Sequence, residues 1–201
     1  MSENHAFQLL NQLLAEKTAC ASREQPYVIA IDGRCGSGKT TLATQLSESL
    51  DANLIHMDDF FLRPEQRTPE RLATPGENID HERFLFEVLL PLKQGSVFSY
   101  RPFSCGTQSL GDPITVEPKP ITLIEGSYAL HPMLRQHYDY AVFLSVDPVT
   151  QEKRIRNRNG DRAWTVFRDR WIPLEEKYIS HCDILNAADS VITCPQIISK
   201  A

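Results

Sequence analysis

No apolar run in this chain approaches the roughly 20 residues needed to cross a bilayer, so the sequence predicts no membrane-spanning helix. Positive charge is not in excess either: 21 Lys and Arg against 26 Asp and Glu give a formal net charge of -5. Such a chain has no overall electrostatic drive toward nucleic acid or an anionic membrane surface, and neither is expected as a partner. The first residues, MSENHAFQLLNQLLAEKTA, lack the basic start and apolar middle of a secretion signal. The five cysteines, Cys20, Cys35, Cys105, Cys182 and Cys194, are scattered, odd in number and without metal-ligand spacing. They read as reduced thiols, and a cytoplasmic location is expected. There is no internal repeat, low-complexity tract or composition shift. One domain over residues 1–201 is expected, with 1–22 as an N-terminal helical extension.

What is present is an alternation of short apolar runs with segments of helical spacing. Phe7, Leu10, Leu13 and Leu14 share one face of an amphipathic helix over 3–19 that packs outside the sheet. YVIAID (27–32), NLIHM (53–57), ITLIE (121–125), YAVFLSV (140–146) and VIT (191–193) predict strands, and VFSYR (97–101) a further one. Helices are expected over 39–50, 81–92, 147–158 and 163–182, the last kinked at Pro173. Pro64, Pro69, Pro75 and Gly76 predict an irregular loop over 62–79. Strands alternating with helices imply an α/β fold with a parallel sheet covered on both faces.

Gly33-Arg34-Cys35-Gly36-Ser37-Gly38-Lys39-Thr40, between a predicted strand and a predicted helix, has the Walker A spacing. Glycines let successive backbone N–H groups turn toward phosphate oxygens, and the following helix adds its positive end. Lys39 is placed to reach the β- and γ-phosphates, and the Thr40 hydroxyl to ligate Mg²⁺. Cys35, inside this anion-binding loop, is expected to favour the thiolate and to be alkylated unless ATP protects it; the alternative is a small residue filling a tight turn. Asp58, at the end of the second strand, is placed to accept a proton from an attacking hydroxyl; the alternative is a turn or cap. Glu125, at another strand end, is a candidate Mg²⁺ ligand or a plain polar terminus. Asp147 followed by Pro148 reads as a helix start instead. Lys153, Arg154, Arg156, Arg158, Arg162, Arg168 and Arg170 form a basic cluster, either a phosphate-covering lid or a solvated face.

DGRCGSGKTT, HMDDFF, NIDHERF, VFSYRPF, LIEGSYAL, KRIRNRNGDR and AADSVI together resemble the uridine kinase-like group of P-loop kinases, which includes nicotinamide riboside kinases, phosphoribulokinases and one type of pantothenate kinase. The resemblance runs from Tyr27 to about Thr193. It implies a five-stranded parallel sheet with flanking helices and a helical lid, and it extends the nucleotide site to Thr41. It makes Asp58 the catalytic base, Asp80 a ligand of acceptor hydroxyls, Tyr100 and the adjacent Arg101 acceptor-side residues, Glu125 a metal ligand, and Arg154 and Arg158 lid arginines. The pyrimidine-reading histidine of uridine kinases is absent: Pro102, Phe103, Ser104 and Cys105 stand there. DDFF also replaces their DSFY.

The expected activity is transfer of the γ-phosphate of ATP, with Mg²⁺, to a hydroxyl of a small metabolite. A nucleoside is the first candidate acceptor, and a pantothenate-like or sugar-phosphate alcohol the alternative. A GTPase switch would need Asn-Lys-x-Asp and Asp-x-x-Gly, and neither occurs. A catalytically silent ATP-binding module is countered by Lys39, Thr40, Asp58 and Glu125 all being present. Oligomeric state is open, with a homo-oligomer allowed.

Overall fold

The computed structural model describes residues 8, 10–12, 14–16 and 25–193. Its centre is a five-stranded, all-parallel sheet of β1 (Tyr27–Gly33), β2 (Asn53–His56), β7 (Ile121–Glu125), β8 (Tyr140–Ser145) and β9 (Ser190–Thr193), in the order β2-β7-β1-β8-β9. Every residue of β1 is buried, as expected of a central parallel strand covered on both faces. Alternation along it feeds two cores. Val28 and Ala30 join Ile124, Phe143 and Phe60 on one side; Tyr27, Ile29 and Ile31 join Val142, Ala43 and Leu46 on the other. The second core also contains Leu10 and Leu14, so the helical residues before the sheet form part of its cover. Phe7 and Leu13 lie outside the described residues, as do Cys20 and Cys194.

Between these strands run α1 (Lys39–Ser49), α2 (Pro69–Ala73), α3 (His81–Phe84), α4 (Leu90–Lys93), α5 (Pro132–Arg135), α6 (Pro148–Val166), α7 (Ile172–His181) and α8 (Ile184–Ala187). Asp147 caps α6, accepting from the N–H groups of Val149 and Thr150. Two prolines sit inside continuous helical rods, Pro91 in α4 and Pro173 in α7, and each follows a π-helical turn, Leu85–Leu89 and Phe167–Trp171. A proline removes one N–H and crowds the preceding turn; the wider turn absorbs both effects. The helical dihedrals are interrupted at Gly160 (φ 81°, ψ 170°) rather than at Pro173. The expected loop 62–79 is partly ordered into a 3₁₀ turn (Pro64–Gln66) and α2, and a Phe61–Ile79 bridge joins its ends. Phe98–Tyr100 (β3) pairs with Ile114–Val116 (β6), and Phe103–Ser104 (β4) with Ser109–Leu110 (β5), both antiparallel. These ladders stand apart from the main sheet and carry the segment around the missing histidine.

Candidate active site

The chain leaves β1 at Gly33, whose φ is +153°; a Cβ there would lie 2.2 Å from the Leu144 carbonyl oxygen. Only glycine allows β1 to approach β8 so closely while the chain turns. Gly36 (φ +75°) and Gly38 (φ +96°) complete the turn, and α1 begins at Lys39 with no side-chain cap and no acidic residue in its first turn. Its leading N–H groups therefore face outward as an anion receptor. The Lys39 ammonium donates to the carbonyls of Gly33 (2.7 Å) and Arg34 (3.1 Å).

The outer wall of the loop is held by α6 and α7. Arg154 donates to the carbonyls of Gly36 (3.1 Å) and Ser37 (3.2 Å), and Gln151 to that of Cys35 (2.9 Å). Arg34 donates to Glu176 through Nε (2.6 Å) and Nη2 (2.9 Å). The Cys35 N–H donates to Glu175 (2.9 Å), which also accepts from the Ser127 hydroxyl (2.8 Å). Burial and the Glu175 carboxylate push the Cys35 thiol far above its usual range. The expectation of a Cys35 thiolate is thus overturned: the helix end and Lys39 favour the anion, but burial and a facing carboxylate oppose it more strongly.

At the carboxyl ends of β2 and β7, Glu125 collects two neighbours. His56 Nδ1–H donates to Oε1 (2.6 Å), and the Thr40 hydroxyl lies 3.3 Å from both carboxylate oxygens. The Glu125 hydrogen bond raises the His56 pKa above its ordinary value. Asp58 follows in the 3₁₀ turn Met57–Phe60. Asp58 is exposed by surface area but crowded by protein at the cavity edge; the resulting desolvation, with Glu125 second, raises its pKa, against the pull of Lys39 and His56. Asp59 accepts from the Tyr100 hydroxyl (3.1 Å).

Cys35, Gly36, Lys39, Thr40, Asp58, Glu125 and Arg158 line one cavity of about 490 Å³. Its other walls include Phe61, Arg67, Asn78, Gln108, Phe167 and Trp171. Gly33, Arg34, Ser37, Gly38, Thr41, Arg154, Asp80, Tyr100 and Arg101 are not in this lining. Thr41 is exposed on the first turn of α1. Arg101 donates to the carbonyls of Leu110 and Gly111, closing the β4–β5 hairpin. Asp80 is buried: Oδ1 accepts from the Arg83 N–H (3.2 Å), while Oδ2 makes no hydrogen bond, with Arg83 Nε at 3.5 Å and Arg63 Nε at 3.7 Å.

Sequence reasoning gives His56, within HMDDFF, no role. It missed Glu175 entirely, because a carboxylate 140 residues from the loop leaves no local signal. It also missed Asp32. That buried carboxylate accepts from the N–H groups of Gly33 (2.6 Å) and Leu130 (2.9 Å) and from the Tyr178 hydroxyl (2.7 Å), and burial raises its pKa to about 6.

A family model described as Zeta toxin matches residues 10–69. The uridine kinase of Staphylococcus aureus (strain JH9) is 25% identical over 171 residues, covering 76% of this chain and 81% of that one. A solved structure described as a possible uridine kinase from Bacillus stearothermophilus superposes with a TM-score of 0.67 at 22% identity, covering 90% of this chain and 96% of the other. D-glycerate 3-kinase from Cryptococcus neoformans superposes at 0.64 with 16% identity, covering 97% and 98%. The chain shares the α/β fold of these solved structures, here an all-parallel five-stranded sheet with the phosphate loop between β1 and α1.

Proposed function

We propose that this chain, a member of the uridine kinase-like P-loop kinases, transfers the γ-phosphate of ATP to a hydroxyl of a small metabolite, with a nucleoside as the first candidate acceptor. The observation that carries this reading is the convergence of Lys39, Thr40, Asp58 and Glu125 on one cavity. The uncapped start of α1 fits a phosphate group. The Thr40 hydroxyl and the Glu125 carboxylate offer converging oxygen donors of the kind Mg²⁺ takes. When bound, that ion supplies charge neutralisation on the phosphates. In this reading Lys39 leaves its loop carbonyls for phosphate oxygens and stabilises charge developing in transfer. Asp58, made more basic by its surroundings, takes the acceptor's proton. Asp80 offers its unbonded Oδ2 to an acceptor hydroxyl once the 62–79 loop moves. Tyr100 steadies Asp59 beside the base, Arg101 shapes the neighbouring hairpin, and Arg154 and Arg158 close α6 over the nucleotide.

A second reading, an anionic alcohol as acceptor, is favoured by three guanidinium groups in the cavity wall, those of Arg67, Arg158 and Arg170. A panel of nucleosides, their deoxy analogues, sugar phosphates and hydroxy acids, read as ADP release with product mass, separates the two. Ribo- over deoxynucleoside preference supports the first reading with Asp80 in its role. Turnover confined to anionic alcohols supports the second. Absence of turnover on every acceptor, with Lys39→Ala indistinguishable from wild type, rejects both.

A further inference from the structure

Among the described residues of the cavity wall, two hold a buried side-chain polar atom that makes no hydrogen bond: Asn78 through Nδ2 and Tyr128 through Oη. Asn78 is 6% exposed and Tyr128 4%. Neither belongs to the phosphate loop or to the Thr40–Glu125 pair. A buried donor without a partner is costly, and folded proteins leave few of them. Two on the wall of one cavity point to an occupant. Tyr128 carries a second cost. Its φ is +70°, a left-handed backbone that a bulky side chain rarely adopts. Such strain persists only where the surrounding structure imposes it, and it gathers at ligand sites. Burial first, and then the Glu175 carboxylate, holds the phenol in its neutral, proton-bearing form.

The backbone fixes both residues relative to Asp58. The Asp80 N–H donates to the Phe60 carbonyl (2.7 Å), and Ile79 bridges Phe61. Asn78 is therefore held at the turn that carries Asp58. Tyr128 stands three residues after Glu125, and its carbonyl accepts from the His131 N–H (3.0 Å). Glu77, next to Asn78, meets His81 Nε2 at 3.0 Å and His131 Nε2 at 3.5 Å. This buried cluster pins the end of the 62–79 loop to the β7–α5 connection. Tyr178 backs both segments. Its ring lies 4.8 Å from that of Tyr128, and a Cβ on Gly76 would stand 3.1 Å from its Cδ2.

The charges nearby disfavour an anion at these two donors. Glu175 holds the Ser127 hydroxyl (2.8 Å) immediately beside Tyr128. The Arg67 guanidinium is committed to the Leu62 carbonyl through Nε (3.0 Å) and Nη2 (2.7 Å), and to Gln108 through Nη1 (2.8 Å). Arg158 and Arg170 are exposed, on α6 and the π-helical turn after it. A carboxylate or phosphate would meet the Glu175 charge beside two uncharged donors. A hydroxyl or carbonyl oxygen meets donors matched to it.

We propose that Asn78 and Tyr128 determine acceptor specificity: the amide of one and the phenol of the other hydrogen-bond uncharged oxygens of the acceptor, other than the hydroxyl that Asp58 deprotonates. The acceptor is then a neutral polyhydroxylated molecule rather than a hydroxy acid or a sugar phosphate. Both donors are closed to bulk water, and the acceptor meets them as the 62–79 loop rearranges, the movement that also presents Asp80 Oδ2. The inference rests on the kinase reading and narrows it.

The test measures ADP release by full-length wild type, Asn78→Leu and Tyr128→Phe, with thermal unfolding recorded for each. The acceptors are uridine, its 2′- and 3′-deoxy analogues, ribose, ribose 5-phosphate and D-glycerate. The wild type is expected to prefer a neutral polyhydroxylated acceptor over its deoxy analogue and over the anions. Each variant should raise the KM for that acceptor about 5–10-fold and leave the KM for ATP within about 2-fold. Each should also lose most of the preference over the deoxy analogue. Such coupling between a protein donor and a ligand hydroxyl is not produced by a purely structural role. Tyr128→Phe removes one oxygen and keeps the ring, so it decides the matter even if Asn78→Leu does not fold. No turnover on any acceptor rejects the kinase reading and this inference with it. Turnover confined to the anionic acceptors keeps the kinase reading and overturns the inference. Turnover on neutral acceptors, with KM and selectivity unchanged in Tyr128→Phe, means that the donors serve structure alone, and it overturns the inference as well.

Discussion

At the scale of single residues, the cavity sets carboxylate against thiol in opposite chemical senses. Asp58 has its pKa raised, by partial desolvation first and then by Glu125. A base must be ionised to act, so activity falls as pH drops through this raised value, above the ordinary aspartate range. The expected result is a kcat/KM profile with an acid limb that is absent from the residual rate of Asp58→Asn. That variant should bind ATP and lose about 10²–10⁴-fold in turnover. An unchanged acid limb in Asp58→Asn would assign the titration elsewhere. For Cys35 the same desolvation protects the neutral thiol. Maleimide should label exposed Cys105 well before Cys35, and peptide mapping by mass reads the order. Early Cys35 labelling would mean that the loop opens away from Glu175.

At the scale of elements, packing decides what propensity leaves open. Leu14 is fully buried and Leu10 nearly so, in the core that also holds Ile29, Ala43 and Leu46. Leu14→Ala removes most of a side chain from a close-packed site and should cost about 2–5 kcal/mol, measured by urea unfolding. A cost below about 1 kcal/mol would mean that this helix is peripheral. The two π-helical turns before Pro91 and Pro173 belong to this scale too. Sequence reasoning marked Pro173 as a kink because a proline interrupts the hydrogen-bond ladder, but a one-residue widening upstream cannot be seen in local propensity.

At the scale of the whole molecule, Asp32 ties β1 to the β7–α5 connection and to α7 through three donors. Its pKa rises from 3.8 to about 6 because burial disfavours the charge. A raised carboxylate pKa means that the folded state holds the proton more tightly. The stabilisation this gives is fully present below 3.8 and is lost as pH rises through about 6. Asp32→Asn should flatten stability across that window, read as the urea midpoint at several pH values. Asp32→Ala, which strands two buried N–H groups and the Tyr178 hydroxyl, should destabilise at every pH by about 1–3 kcal/mol for each donor left unsatisfied.

The features legible along the chain are those whose signals are local. These are the glycine spacing of Gly33, Gly36 and Gly38 with Lys39 and Thr40, the apolar runs of the buried strands, and Asp58 and Glu125 at strand ends. Each follows from backbone sterics or from the period of a strand, which act within a few residues. The tertiary structure alone decided which distant groups meet: Glu175 on the Cys35 N–H, Tyr178 and Leu130 on Asp32, His56 on Glu125, and His131 stacked on His81. It also withheld Asp80, Tyr100 and Arg101 from the cavity lining. Burial, and every pKa shift that follows from it, depends on chain segments far apart in sequence, and no short-range pattern encodes it.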